Sequence, residues 1–417
     1  MRASLATLGV AALLALSPAG AAGQSTANAV LQSALARGMH GAGSSSGAYV
    51  VDLDTGQTLF SVNSGIGRLP ASVEKVYTTS TALLRFRSGG TLTTSVLGTG
   101  TRDTQGGWHG TLYLKGGGDP TFGSAAFDRS AYGTGATMQQ LVSNLTRGAG
   151  VRSVHGRIIG DETYFDSRRG TPATGFRPST EVEGVLSGLA YDRGFANWDG
   201  SVLQSRPALF ATQHFASALR AARVGVQSGT PTYTGRTPSG ARLLATVHSP
   251  AIATLIRLTN TPSDNYLAEM LVKGLGARFG GAGTTAAGAG VVRAQLASKF
   301  QIHPNVVDGS GLSRADSTSP RQVVSALRHL AANSTFVRSL AVAGQSGTLR
   351  ARLIGTAAQG RCRGKTGTLH DVSNLVGYCH ARDGHTLAFA FLMNAISPSY
   401  AHPIQDRMAV ALVNYNG

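Results

Sequence analysis

The sequence predicts an α/β chain of the α+β kind, in which a helix-flanked, strand-containing part is interrupted by a large α+β insertion. Three observations predict it. A hairpin, a turn and a helix open the chain between Ser46 and Leu84. From Gly89 the texture changes to Thr- and Gly-rich alternating strands with a few short helices. From Pro250 helical periodicity resumes, and the chain closes on strand-like runs and a last helix. The expected division is a leader over 1–22, one domain from 23–88 plus 248–417, and an insertion over 89–247 forming one or two small domains.

The leader has Arg2 at its start, an uncharged run from Leu5 to Leu16, a break at Ser17-Pro18 and a small-x-small site at Ala19-Gly20-Ala21. That is the pattern of a secretory signal, and a retained N-terminal anchor is the alternative. No later stretch reaches about 18 uninterrupted apolar residues, so no further membrane span is expected. An exported protein, periplasmic or extracellular and wall-associated, follows from this reading. Thr26 to Gly38 is then expected to be a short amphipathic helix. The runs Ala48 to Leu53 and Thr58 to Ser61 flank Asp54-Thr55-Gly56-Gln57, a hairpin signal. After Arg68-Leu69-Pro70, residues Ser72 to Leu84 hold neither Gly nor Pro and read as a helix opened by Ser72.

In the insertion, Thr91 to Gly118 reads as β-structure, Met138 to Thr146 as a helix, Val154 to Asp161 as a strand, Tyr164 to Ser179 as a loop and Phe210 to Val224 as a helix. Gly116-Gly117-Gly118 lacks the Gly-Lys-Ser/Thr arrangement of a phosphate loop, which argues against nucleotide binding. Beyond it, Pro250 to Thr259 is helical and stops at Asn260-Thr261-Pro262. Helices are expected over Tyr266 to Gly274, Ala286 to Lys299 and Pro320 to Ala331, with a last one after Tyr400. Strand-like runs are expected from Gly360 to Thr368, Asn374 to Cys379 and Leu387 to Met393. The midpoint of Cys362 and Cys379 falls between His370 and Asp371, where a symmetric hairpin would reverse. The two cysteines would then face each other as a cross-strand disulfide; two unpaired buried thiols are the alternative.

The net charge of +17 comes almost entirely from arginine, since the chain has five lysines. The arginines are scattered rather than gathered in a patch or tail, which argues against a nucleic-acid binder and fits an anionic surface such as cell-wall polymer; the base composition of the genome is the alternative source of the excess. His109, His214, His303, His370 and His380 show no ligand spacing and read as structural, so no metal and no cofactor is expected.

Three short motifs carry the chemistry: Ser-x-x-Lys at 72–75, Ser-x-Asn at 263–265 and Lys-Thr-Gly at 365–367. An alcohol is a poor nucleophile without a nearby base, and a lysine serves as one only when burial or positive charge lowers its pKa. Lys75 lies one helical turn after Ser72, within reach of its hydroxyl. Taken singly, the motifs read as a cap, a turn and a solvated strand edge. Together they use two of only five lysines and stand at a helix start, an inter-helix turn and a strand beside the C-terminal helix. This set is the signature of penicillin-binding proteins and serine β-lactamases.

The wider sequence resembles the D-alanyl-D-alanine carboxypeptidases of the low-molecular-mass, class C penicillin-binding type, many of which also act as endopeptidases. The matching stretches are Arg68 to Ser72, Gly116 to Thr121, Gly156 to Asp161, Ser263 to Glu269, Asp308 to Ser313 and Gly364 to Leu369. The resemblance implies a serine β-lactamase/transpeptidase-like domain, an antiparallel sheet flanked by helices, split by the insertion. It also implies peptidoglycan stem peptides as substrates and β-lactam antibiotics as inhibitors. Ser72 would attack the carbonyl between two D-alanines, Lys75 would take its proton and Ser263 would pass a proton to the leaving amine. Asn265 would hold the substrate amide. Lys365 would keep Lys75 neutral by its charge and, with Thr366, attract the terminal carboxylate. The N–H groups of Ser72 and Thr368 would form the oxyanion hole. Glu74 points about 200° around the helix from Ser72 and is expected outside the site. Asp119, Asp161 and Ser310 read as turn and packing residues. The competing readings are a serine β-lactamase, which shares the motifs, and a non-catalytic wall-binding or β-lactam-sensing protein.

Overall fold

The structure, a computed structural model, describes residues 18–226 and 230–417, with side chains of the opening helix described from Thr26 onward. The expected leader therefore lies outside the described residues as far as residue 17. In chain order, α1 (Pro18–Ala42) leads into the hairpin β1 (Gly47–Asp52) and β2 (Thr58–Val62), then α2 (Lys75–Phe86). There follow β3 (Thr93–Arg102), β4 (Gly107–Gly116), α3 (Ala125–Ala131), α4 (Met138–Gly148), β5 (Ser153–His155), β6 (Ile158–Asp161), α5 (Pro207–Ala221), β7 (Gly225–Val226), β8 (Thr232–Thr234) and β9 (Arg242–His248). The helices α6 (Ile252–Asn260), α7 (Asn265–Phe279), α8 (Thr285–Phe300), α9 (Pro320–Leu330) and α10 (Ser334–Ser339) precede β10 (Ala341–Val342). The chain closes on β11 (Cys362–Leu369), β12 (Val372–His380), β13 (Thr386–Asn394) and α11 (Pro398–Val413).

Two sheets result. A six-stranded antiparallel sheet runs β10-β11-β12-β13-β1-β2 and joins the beginning of the chain to its end. Its strands follow a strict period of two. On β13, Ala388, Ala390 and Leu392 face α2, α6, α8 and α9, while Leu387, Phe389, Phe391 and Met393 face α1 and α11. A one-residue slip would exchange these faces, and with each buried large apolar side chain worth roughly 1.5–3 kcal/mol the register is strongly specified. Cys362 and Cys379 stand opposite each other on β11 and β12 and are disulfide-bonded.

The seven-stranded sheet belongs wholly to residues 93–248 and is mixed. β3 pairs antiparallel with β4 and β9, whereas β5 and β6 run parallel to β4. Its core gathers Trp108, Leu112 and Leu114 against α4 and α5. A further cluster ties this part to α7: Phe127, Tyr132, Phe165, Val182 and Leu186 pack on Tyr266, Leu267 and Met270.

Several expected elements differ in extent. The run Val154 to Asp161 is two short strands, divided at Gly156-Arg157, and the opening helix begins at Pro18. The helix expected to stop near Gly274 continues to Phe279. It runs on through Gly276, where a Cβ would meet Gly288 N of α8 at 2.7 Å. The glycine there serves close helix packing rather than a stop.

Candidate active site

The strands β11, β12 and β13 hold the turn that precedes α2. Asn374 Nδ2 donates to the carbonyls of Leu69 (2.9 Å) and Pro70 (2.8 Å), and Asn394 Oδ1 accepts from Leu69 N (2.9 Å). Gly367 lies so close that a Cβ would meet Pro70 O at 2.4 Å. Ala71 is held at φ +46°, a conformation costing a non-glycine residue about 1 kcal/mol or more, and this strain stands immediately before Ser72. The expected α-helical start is a 3₁₀ turn, Ala71–Glu74, with α2 beginning only at Lys75. In a 3₁₀ turn residues three apart eclipse, which stacks Lys75 directly over Ser72.

Lys75 is fully buried, and its ammonium has three acceptors: Ser72 Oγ (2.8 Å), Asn265 Oδ1 (2.6 Å) and the Ser310 carbonyl (2.8 Å). Every N–H of the group is therefore used. Burial pushes its pKa down to about 8, against the opposing pull of Asp308, Glu269, Asp264 and Glu183. A lysine so placed switches between ammonium and free amine near neutral pH, as a general base requires.

Ser263, Asp264 and Asn265 form the turn between α6 and α7. Ser263 sits at φ +71°, and Asp264 caps α7 by accepting from Leu267 N (2.8 Å). Asn265, the first residue of α7, donates its backbone N–H to Glu183 Oε2 (2.9 Å) and its side-chain NH2 to Glu181 O (2.8 Å). Its amide is thereby oriented with the oxygen toward Lys75. Across from it, buried Lys365 on β11 donates to Ser263 Oγ (2.7 Å) and to Thr366 O (2.9 Å). Burial, and then the neighbouring charge of Lys75, holds the Lys365 pKa well below the ordinary lysine value. Thr366 donates to Thr348 Oγ1 (2.8 Å), and Thr368 is exposed further along the same strand. The sequence-expected residues thus form two serine–lysine pairs, Ser72–Lys75 and Ser263–Lys365, with Asn265 against Lys75.

Beneath Lys75 lies a layer that the sequence reading did not assign. Ser310, read as a turn residue, supplies the carbonyl on Lys75. Glu269 Oε1 gathers the N–H groups of Gly309 (2.9 Å) and Ser310 (2.8 Å), and Asp308 takes those of Gly311 (2.7 Å) and Ser313 (2.8 Å). Glu74 is outside the Ser72 pocket but entirely buried, with neither oxygen hydrogen-bonded among the described residues. Burial, then Asp308 and Glu269, raises its pKa well above the ordinary carboxylate value. Glu269 is pushed up to about 8 and Asp316 to about 11, burial being the first cause in each. One signal for this layer was present: Glu269 follows Asn265 by four residues, on the same face of a helix.

Among the described residues no group of His, Cys, Asp and Glu is arranged to hold a metal ion, and no helix is long and apolar enough to cross a membrane.

The model of the D-Ala-D-Ala carboxypeptidase 3 (S13) family matches residues 27–181 and 196–415. A D-alanyl-D-alanine carboxypeptidase of Actinomadura sp. is 29% identical over 458 aligned residues, covering 90% of this chain and 82% of that protein. The carboxypeptidase DacB of Mycolicibacterium smegmatis is 29% identical, over 87% of this chain and 79% of its own. In fold, the chain is similar to penicillin binding protein 4 of Haemophilus influenzae in complex with a β-lactam (TM-score 0.72, 18% identity, 92% of this chain and 99% of the other). A predatory peptidoglycan endopeptidase of Bdellovibrio bacteriovorus also shares it (TM-score 0.55, 19% identity, 89% and 92%).

Proposed function

Because the chain belongs to the D-Ala-D-Ala carboxypeptidase 3 (S13) family, we propose that it is an exported serine D,D-carboxypeptidase that works through an acyl-enzyme on Ser72. The observation that carries this reading is the contact of Lys75 Nζ with Ser72 Oγ at 2.8 Å, beside the Lys365–Ser263 pair at 2.7 Å.

The substrate is the D-Ala-D-Ala end of a peptidoglycan stem peptide. Its terminal carboxylate binds beside Lys365 and Thr366, and the second N–H of the Asn265 side chain takes a substrate carbonyl. Lys75, as free amine, accepts the Ser72 proton while Oγ attacks the carbonyl carbon. The N–H groups of Ser72 and Thr368 stabilise the resulting oxyanion; losing one such donor typically costs about 3 kcal/mol of barrier. As the C–N bond breaks, the Ser263 hydroxyl delivers a proton to the leaving D-alanine amine and is reprotonated from the lysines. Water, deprotonated by Lys75, then attacks the ester, and the proton returns to Ser72. The same steps with a cross-link amine as leaving group are endopeptidase cleavage. A penicillin follows the first half and stalls as the acyl-enzyme. The excess of arginine suits residence at an anionic wall surface.

The test is intact-protein mass after exposure to a penicillin, for the native protein and for Ser72→Ala. A stable adduct on the first and none on the second is expected, followed by D-alanine release from a peptide ending in D-Ala-D-Ala. Rapid loss of the drug without an adduct would favour a β-lactamase. Neither adduct nor drug loss would remove the catalytic assignment.

A further inference from the structure

The segment between β6 and α5 grips the Ser263-Asp264-Asn265 turn, and Arg193 is its centre. Arg193 donates from Nε to Tyr132 OH (2.6 Å), from Nη1 to the Glu183 carbonyl (3.3 Å) and from Nη2 to the Asp264 carboxylate. Its guanidinium lies over the rings of Tyr132 (4.9 Å) and Tyr266 (5.3 Å). Both side chains of the Arg193–Asp264 pair are only 11% exposed. The backbone here is contorted: Asp192, Arg193 and Gly194 have φ values of +49°, +57° and +74°. Two of the three are not glycine, so the surroundings pay for a conformation that aims this side chain.

What Arg193 holds is one step from the chemistry. Asp264 has one oxygen on the α7 cap and the other on Arg193, so its carboxylate cannot rotate. Glu183, whose carbonyl also rests on Arg193, accepts the Asn265 backbone N–H with its carboxylate. Asn265 Oδ1 in turn receives Lys75. The family match breaks between residues 181 and 196, so it leaves both Glu183 and Arg193 unassigned.

The geometry points to Arg193 as a positioning residue for acylation: from the inserted region it locks Asp264 and Glu183, which set the Asn265 amide against Lys75. This rests on the acyl-serine reading. Misplacing a catalytic group by about 1 Å costs on the order of 100-fold in rate. Arg193→Met is therefore expected to lower the rate constant of acylation by a penicillin by about 10- to 100-fold. The fraction of protein finally acylated should remain complete. A merely stabilising role would instead lower that fraction or the melting temperature and leave the rate constant of the folded protein unchanged.

Arg193→Lys, which keeps the charge and loses the fork, should recover part of the rate. Asp264→Asn retains the cap acceptor while removing the partner charge. It should slow acylation in the same direction, and the double variant should be little slower than the slower single. Native-like rate constants in both Arg193→Met and Asp264→Asn, or strictly additive losses, would overturn the inference. If the native protein forms no adduct at Ser72, the acyl-serine reading fails instead.

Discussion

The two serine–lysine pairs have almost the same geometry and opposite surroundings. Lys75 and Lys365 are both fully buried and lie 2.8 and 2.7 Å from a serine hydroxyl. Around Lys75 stand Asp308, Glu269, Asp264 and Glu183, which oppose the cost of burial and leave its pKa at about 8. Around Lys365 burial is reinforced by the charge of Lys75, and both hold its pKa well below the ordinary lysine value. The two ammonium charges disfavour each other, the same mutual effect by which the sequence-based expectation has Lys365 keep Lys75 neutral. Arrival of a substrate carboxylate beside Lys365 would favour the ammonium there and, by mutual repulsion, the free amine on Lys75. Identical residue pairs thus stand in different electrostatic surroundings, set by charges two contacts away.

The sharpest break of this comparison is Lys75→Met. Loss of a general base typically costs 10²–10⁴-fold, so adduct formation measured by mass should slow by about 10³-fold with the fold intact. Lys365→Met should act differently, through the carboxylate. Hydrogen bonds to charged groups are worth about 1.5–3 kcal/mol, so preference for a peptide acid over its amide should fall roughly 10- to 100-fold, chiefly in KM.

The pH dependence follows from the sign of the Lys75 shift. The base must be neutral, its pKa is lowered to about 8, and the rate must rise as pH climbs through that value. From pH 7 to 8, kcat/KM for a D-Ala-D-Ala peptide should increase roughly fivefold. A flat profile over that range would remove Lys75 as the base.

The smallest effect belongs to the acid layer. Glu74 has a raised pKa in the folded state, so its stability contribution is fully present below the unfolded carboxylate pKa and is lost as pH rises above it. Glu74→Gln removes that titration. Its melting temperature should gain steadily on that of the native protein as pH rises from 5 to 8. A constant difference across that range would show Glu74 to be already ionised.

Much of the frame was legible because it rests on local pattern. The apolar run Leu387 to Met393 marks a strand, and Pro320-Arg321 marks a helix start. The hairpin around Asp54-Thr55-Gly56 and the opposed cysteines follow from spacing alone. The helix expected to end at Gly274 runs on through Gly276, a glycine explained by a neighbouring helix rather than by its own segment. The 3₁₀ start at Ala71 was missed for the same reason: Gly367, Asn374 and Asn394 press on that turn from far along the chain.

By itself the sequence determined the residue types able to do acyl transfer, their order, and the helix, turn and strand on which they stand. Tertiary structure alone decided that Asn265 faces Lys75, that the Ser310 carbonyl completes its shell and that Arg193 braces the second motif. The physical reason is range. Helix caps and strand periods are written within a few residues, whereas a buried ammonium takes its pKa from whatever charges and carbonyls the whole fold brings within a few ångströms.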